Sequence, residues 1–146
     1  MNDEYFMKIA LKEAKIAFNN NEIPVGAVIV KENKIIARAH NIVKETNNCL
    51  NHAELLVINK ACKKLKYERL NNCSIYVTLE PCYMCAGAIF QARIEHLIYG
   101  TANILNNIED MNSKDTINHT IKVKKGVLEE DCKQLIDDFF KQIRKN

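Results

Sequence analysis

The chain has 146 residues, the size of a single domain, and 47% of them are hydrophobic, which is enough to build a buried core. With 27% charged residues, four glycines and two prolines, the composition excludes a disordered, low-complexity or fibrous chain. The net charge of +3 permits an anionic partner without requiring one. We therefore expect one domain that covers residues 1–146.

The compartment can also be predicted from the sequence. No apolar run approaches the ~20 residues that a bilayer span requires, and Asp3 and Glu4 stand where a secretory signal would carry basic residues. These features predict a cytoplasmic protein without a membrane association. Because cytosolic thiols stay reduced, a cluster among the six cysteines is better interpreted as a metal or catalytic site than as a set of disulfides.

The first part of the chain is predicted to form a helix and a β-hairpin. After a possible N-cap at Asp3, apolar residues recur at three- and four-residue steps from Phe6 to Phe18, which places them on one helical face. The polar run 19–22 should end this helix. Two β-rich runs, Val25–Val30 and Ile35–Ala39, flank a short polar segment and predict a hairpin.

The middle of the chain alternates between predicted helices and strands. Residues 44–51 are polar and are expected to form a loop, and 53–65 have helical composition. The β-branched and aromatic run 74–79 predicts a strand. It leads into a predicted helix over about 82–92, where Pro81 suits a helix start, and 94–99 is predicted to be the next strand.

The last part of the chain completes an alternating order. An irregular polar stretch over about 103–119 precedes a weak strand at 120–124 and a helix over 129–145. The resulting order, α-β-β-α-β-α-β-(β)-α, predicts an α/β fold of three layers with one mixed central sheet flanked by helices. In such a fold, strand-to-helix turns gather at one edge of the sheet.

A metal site is the first chemistry that the sequence indicates. Cys82 and Cys85 are three residues apart in a predicted first helical turn, so both sulfurs share one face and can hold one ion. The positive end of the helix dipole favours their thiolate form. With His52 as a third ligand, a zinc ion would keep a fourth position for water, which is typical of a catalytic site.

Glu54 follows His52 by two residues and could face the water without binding the metal. Zinc acidifies a bound water, and a nearby carboxylate can take its proton and pass it to a leaving group. This chemistry suits hydrolysis at an electron-poor carbon, such as the amidine-like carbons of nucleobases. The combination of His-x-Glu with Pro-Cys-x-x-Cys is the general signature of zinc-dependent nucleobase deaminases.

The chain resembles the bacterial tRNA-specific adenosine deaminase family, which belongs to the cytidine deaminase-like superfamily. The resemblance covers about residues 5–143 and is carried by His52-Ala-Glu54, Ile23-Pro-Val-Gly-Ala27, Val77–Ala88 and Asp138-Phe-Phe140. It implies the cytidine deaminase-like fold and a homodimer with one Zn²⁺ per chain. The implied reaction is hydrolysis of adenosine to inosine at the wobble position of tRNA anticodons.

The resemblance also implies roles for individual residues. His52, Cys82 and Cys85 would hold zinc, and Glu54 would be the catalytic proton carrier. The substrate would be the tRNA anticodon loop. The residues implied to bind it are Asn41, Val25, Ala53, Asn103, Phe139 and Phe140. The chain departs from the family pattern after Tyr99-Gly100, because members usually continue with Ala-Arg-Asp whereas this chain continues with Thr101-Ala102-Asn103.

Two other functions remain open at the level of sequence. A free-base or nucleoside deaminase, such as a guanine or cytosine deaminase, would keep the same metal site and differ only in its pocket. Alternatively, Cys49 stands three residues before His52 and could complete a four-ligand structural zinc site, which would make the chain an RNA-binding module instead of an enzyme.

Overall fold

The first helix, α1, covers Asp3–Asn19 in the computed structural model, which describes residues 2–103 and 120–145. Its N-cap is Asn2, whose side chain accepts a hydrogen bond from the backbone N–H of Tyr5 at 3.0 Å. The predicted cap at Asp3 is therefore wrong by one residue. The Asp3 carboxylate instead accepts hydrogen bonds from the Tyr76 hydroxyl and the Lys124 ammonium, each at 2.6 Å.

The other predicted elements are present with ends shifted by at most about two residues. In chain order, the described elements after α1 are β1 (Gly26–Lys31), β2 (Lys34–His40), α2 (Val43–Thr46), α3 (Ala53–Leu65), β3 (Cys73–Leu79), α4 (Tyr83–Gln91), β4 (His96–Thr101), β5 (Lys122–Lys125) and α5 (Glu129–Lys145). Helix α2 lies where a loop is predicted, because a single turn is too short to produce a periodic pattern. Most of the predicted irregular stretch lies outside the described residues.

One mixed sheet forms the middle layer, as predicted. Its five strands have the order β2-β1-β3-β4-β5. Strand β1 runs antiparallel to β2 and β3, whereas β3, β4 and β5 are parallel to one another. The two outer strands are thus β2 and β5, and three exposed lysines stand on β5: Lys122, Lys124 and Lys125.

Both faces of the sheet are covered by helices. Along β1, Ala27 and Ile29 belong to the core that includes α3 and α4, whereas Val28 and Val30 belong to the core that includes α1 and α5. This alternation follows from the pleat, which directs successive side chains to opposite faces. The three-layer architecture is therefore confirmed. No described helix is long and apolar enough to cross a membrane.

Close packing of α1 on the sheet depends on Gly26. A Cβ atom at this position would overlap the carbonyl oxygen of Ala10 and lie 2.6 Å from the backbone nitrogen of Ala14. Only glycine therefore allows the helix backbone to approach β1 this closely.

The sheet brings the starts of α3 and α4 to one edge. Strand β3 ends at Leu79, and the N–H of Glu80 donates to the carbonyl of Thr101 at the end of neighbouring β4. Gly26 at the start of β1 is paired with His40 at the end of β2 on the same side. Residues that directly precede or follow these strand ends therefore share one edge of the sheet.

Candidate metal centre and substrate cavity

Three metal-ligating side chains meet at this edge. His52 is the N-cap of α3, Cys82 is the N-cap of α4 and Cys85 lies in the first turn of α4. The Nδ1 atom of His52 lies 3.7 Å from the Cys82 Sγ atom and 3.5 Å from the Cys85 Sγ atom, and the three donor atoms lie within 4.8 Å of one another. The fold thus brings together the three predicted ligands from positions 30 residues apart in the chain.

The spacing and the chemistry of these donors fit zinc. A tetrahedral ion with Zn–N and Zn–S distances of about 2.1 and 2.3 Å separates such donors by about 3.6 Å. The observed nitrogen-to-sulfur distances of 3.7 and 3.5 Å bracket this value. One imidazole and two thiolates form a donor set that zinc favours. This group can therefore bind a metal ion.

The electrostatics of the trio favour a thiolate at Cys82. Hydrogen bonds with Cys85 and with the His52 ring hold the pKa of Cys82 well below the usual thiol range. The hydrogen bond with Cys82, together with burial, raises the pKa of Cys85. The bond to Cys82 also raises the pKa of His52. The position of Cys82 at a helix N-terminus adds to the stabilisation of its negative charge.

Glu54 lies beside the trio without belonging to it. Its side chain is only 4% exposed, and it forms a hydrogen bond with Cys85. Burial raises the pKa of Glu54 to about 7. A carboxyl group with such a pKa can accept and release a proton near neutral pH, which is the property required of a proton carrier.

A cavity of about 400 Å³ opens next to the metal donors, a volume within the usual range for small-ligand sites. His52, Cys82 and Glu54 form part of its wall. The other lining residues are Glu22, Ile23, Val25, Asn41, Val43, Lys44, Cys49, Leu79, Glu80 and Asn103. The predicted catalytic residue and two of the predicted ligands therefore face one space that can hold a ligand.

Asn41 and Val25 lie in this wall, and Asn41 also supports the start of α3. The Asn41 Oδ1 atom accepts a hydrogen bond of 2.7 Å from the Ala53 N–H, and its backbone N–H donates to the Val25 carbonyl. Because the oxygen is engaged, the side-chain NH₂ group is the part of Asn41 that remains to donate to a substrate. Ala53 is fully buried and is not among the lining residues.

Asn103 also lines the cavity. Its backbone N–H donates to the Glu80 Oε1 atom at 3.0 Å, and Glu80 is itself only 5% exposed. The buried carboxylate thereby fixes the chain after β4 against the turn that leads into α4. The hydrogen bond from the Asn103 backbone to Glu80 thus holds Asn103 at the cavity wall.

The two aromatic residues of α5 differ in their environments. Phe139 is 3% exposed, and its ring centroid lies 6.0 Å from that of Phe18 in α1. Phe140 is 41% exposed. Of the pair that the resemblance implies to lie near the anticodon loop, Phe140 therefore presents a ring surface to solvent, whereas Phe139 packs between helices.

Cys49 does not belong to the metal-binding group. It is exposed and lines the cavity, but the close donor set among the described residues consists of His52, Cys82 and Cys85. The four-ligand structural site considered from the sequence is therefore wrong.

The sequence did not single out several residues of the cavity, notably Glu22, Lys44 and Glu80. Glu22 and Lys44 lie outside the metal-binding motifs, so only the fold reveals their place, whereas Glu80 lies within the run Val77–Ala88. For Glu80 the sequence offers one signal, because this acidic residue stands directly before Pro81 and the predicted metal ligand Cys82.

The comparisons with known proteins agree with this geometry. The family model of MafB19-like deaminases matches residues 1–144. The tRNA-specific adenosine deaminase of Aquifex aeolicus is 44% identical over 100% of this chain and 99% of its own length. That of Bacillus subtilis is 43% identical, with 98% and 91% covered, and that of Rickettsia bellii is 46% identical, with 94% and 99% covered.

Two solved structures extend the comparison. A structure from work on A-to-I editing by tRNA:A34 deaminases at the wobble position has a TM-score of 0.85 and 40% identity, with 90% of this chain and 98% of the other covered. A guanine deaminase from Bacillus subtilis has a TM-score of 0.68 and 33% identity, with 100% and 96% covered. The fold is thus shared with deaminases, and the sequence relationship extends over nearly the whole chain.

Proposed function

Since this chain belongs to the family of tRNA-specific adenosine deaminases, we propose that it hydrolyses adenosine to inosine at the wobble position of a tRNA anticodon. The observation that carries the proposal is the placement of Glu54 beside a His-Cys-Cys donor set in the wall of one cavity. Identities of 43–44% over 98–100% of the chain favour the tRNA substrate over a free base.

We assign one zinc ion per chain to His52, Cys82 and Cys85. When bound, zinc would supply Lewis acidity, which lowers the pKa of a water molecule on the metal to a value near neutral. The donor set fits this role because its three atoms leave one tetrahedral position for a small molecule.

Glu54 is the group that moves protons. Its carboxylate oxygen takes a proton from the attacking water, and the carboxyl then donates that proton to the purine ring at N1 and assists proton transfer to the departing amino group. The water oxygen first forms a bond to C6 as N1 is protonated. The proton of the new C6 hydroxyl then passes to the amino group, and the bond from C6 to the exocyclic nitrogen breaks, which yields inosine and ammonia. Burial suits Glu54 to this task because it raises the carboxyl pKa to about 7.

The remaining cavity residues would hold the base. A base within a stack cannot reach the site, so the adenosine must be turned out of the anticodon loop into the cavity. We assign Asn41 to hydrogen bonding with the turned-out nucleoside and Val25 to apolar contact with its base. Phe140, exposed on α5, is the ring that can stack on an unpaired base.

We also propose that the chain acts as a cytoplasmic homodimer, as the family resemblance implies. All six cysteines are free thiols, which supports a reducing compartment. Light scattering or analytical ultracentrifugation of the purified chain tests the dimer.

The direct test is incubation with total tRNA, followed by digestion and quantification of inosine. The Glu54→Gln variant keeps the shape of the buried side chain but removes the proton carrier, and we expect its turnover to fall by about 10²- to 10⁴-fold. Glu68→Gln is the matched control, because Glu68 is an exposed glutamate and its loss should leave activity unchanged. Folded Glu54→Gln protein that forms inosine as fast as the parent would refute the assignment.

A deaminase of free bases is the second candidate, favoured by the 33% identity to a guanine deaminase. Assays with free guanine and free cytosine distinguish the two. Release of ammonia from a free base, without formation of inosine in tRNA, would favour this candidate.

A further inference from the structure

Glu22 is a buried acid that the mechanism does not use. It follows α1 and is only 2% exposed. One carboxylate oxygen accepts a hydrogen bond from the Lys44 N–H at 3.0 Å, and the other accepts from the Glu45 N–H at 2.8 Å. Its own N–H donates to the Ala17 carbonyl at 2.9 Å. A single side chain therefore joins the end of α1 to the start of α2.

These two bonds replace a cap that α2 lacks. The N-cap residue, Ile42, has no side-chain acceptor, and its backbone angles of φ −136° and ψ 39° differ from the extended conformation usual for a capping residue. The N–H groups of Lys44 and Glu45 occupy the second and third helical positions, which a capping side chain would normally satisfy. Glu22 supplies this acceptor from a distant part of the chain, and its negative charge suits a helix N-terminus.

The helix that Glu22 caps is a wall of the substrate cavity. Val43 and Lys44 of α2 line the cavity, and so does Glu22. The segment that contains α2 starts just after Asn41 and leads to His52, and the Ile42 N–H bonds the Asn51 carbonyl at 3.1 Å to close it. A shift of α2 would therefore change the space offered to the base, while the metal donors in α3 and α4 keep their own supports.

We propose that Glu22 is a positioning residue that fixes α2 as the wall against which the turned-out adenosine binds. This inference rests on the proposed function, because it assigns the wall to that substrate. Loss of the contact should weaken the binding of ground state and transition state alike, since Glu22 does not touch the reacting atoms. Such a change raises KM and leaves kcat nearly constant.

The test uses Glu22→Gln and an anticodon stem-loop RNA that contains the wobble adenosine. Glutamine keeps one acceptor oxygen but places an NH₂ group against the other N–H donor. We expect KM to rise about tenfold and kcat to change by less than about twofold. Hydrogen exchange, measured without RNA, should show faster exchange at the Lys44 and Glu45 amides.

Two further variants separate positioning from general stability. Glu45→Pro changes the other partner of the contact, because proline has no N–H to donate to Glu22. Position 45 is exposed, and this variant should raise KM in the same way. Tyr76→Phe removes the hydrogen bond to Asp3. Neither residue lines the cavity, so this variant should lower stability without a change in KM.

Each result supports or overturns the inference. Faster amide exchange with an unchanged KM would show that substrate does not use α2, and a fall in kcat alone would place Glu22 in the chemical step. Unchanged exchange in Glu22→Gln would overturn the contact itself. If the parent formed no inosine in the stem-loop, the proposed function would fail, and the exchange data would still report on the contact between Glu22 and α2.

Discussion

Cys49 differs from the two cysteines of the metal centre in both exposure and position. It stands at the cavity wall, whereas Cys82 and Cys85 approach the His52 ring to within 3.7 and 3.5 Å. We expect Cys49→Ala to keep a full equivalent of bound metal and normal deaminase activity. Cys82→Ala should lose most of both, because two protein donors hold zinc far more weakly than three.

Metal analysis of the two purified variants, with circular dichroism to verify folding, tests this expectation. Loss of metal from Cys49→Ala would indicate a fourth protein ligand and would argue against an open catalytic position.

Single residues of the site differ in how far the sequence predicts them. His52, Glu54, Cys82 and Cys85 are predictable because each pair is held by short spacing within one helix start. Glu22 is not predictable, because its partners lie 22 and 23 residues later and are backbone groups. The two phenylalanines of α5 show a different limit: the sequence does not tell which of two adjacent apolar residues is buried, and only the packing against Phe18 identifies Phe139 as the buried one.

At the scale of elements, Glu13 connects α1 to β2. Its carboxylate accepts hydrogen bonds from the Arg38 Nε atom at 2.7 Å and from the His40 ring at 2.8 Å. Burial by itself would raise the pKa of Glu13, but the bonds from His40 and Arg38 outweigh it and lower the pKa below its usual value. The ionised form therefore stabilises the folded chain.

We expect Glu13→Gln to lower the free energy of unfolding at pH 7 by roughly 1–3 kcal/mol. Because the folded-state pKa lies below the unfolded value, this stabilisation is present above the unfolded pKa and is lost as the pH falls through the folded pKa. The difference between the parent and the variant should therefore shrink below about pH 4. Urea unfolding at a series of pH values measures it, and a difference independent of pH would contradict this account.

The contact between α1 and β1 depends on the absence of a side chain at position 26. We expect Gly26→Ala to lower the free energy of unfolding by at least about 1–3 kcal/mol, because the added methyl group meets rigid helix backbone instead of a flexible side chain. Thermal unfolding of the variant measures the loss. An unchanged midpoint would mean that α1 can move away from the sheet at little cost.

The elements themselves are mostly predictable, and the exceptions have physical causes. Strands and long helices show a clear period in their apolar residues, since each buries one face or both. Helix α2 has no buried residue to mark it, and it is held by Glu22 instead of by packing. Its position therefore depends on tertiary structure that local patterns do not contain.

At the scale of the whole molecule, the metal donors link two separate parts of the chain. His52 begins α3 and the cysteines begin α4, so the complete donor set exists only in the folded state. A ligand that binds only the folded state stabilises it. We expect a strong chelator to lower the midpoint of thermal unfolding of the metal-loaded protein by about 5 °C or more.

Differential scanning calorimetry with and without chelator measures this shift. Cys82→Ser provides the control, since a variant without the complete donor set should show little response. A chelator effect of equal size in the variant would indicate that metal stabilises the protein at another place.

The lysines on the last strand affect how the molecule behaves at high concentration. Among the residues that the structure describes, β5 is the last strand on its side of the sheet, and Lys122, Lys124 and Lys125 are exposed within its four residues. A second molecule that tried to add its own strand would bring like charges together and would have to strip water from ammonium groups. The lysines on β5 therefore disfavour the strand-by-strand growth that leads to fibrils.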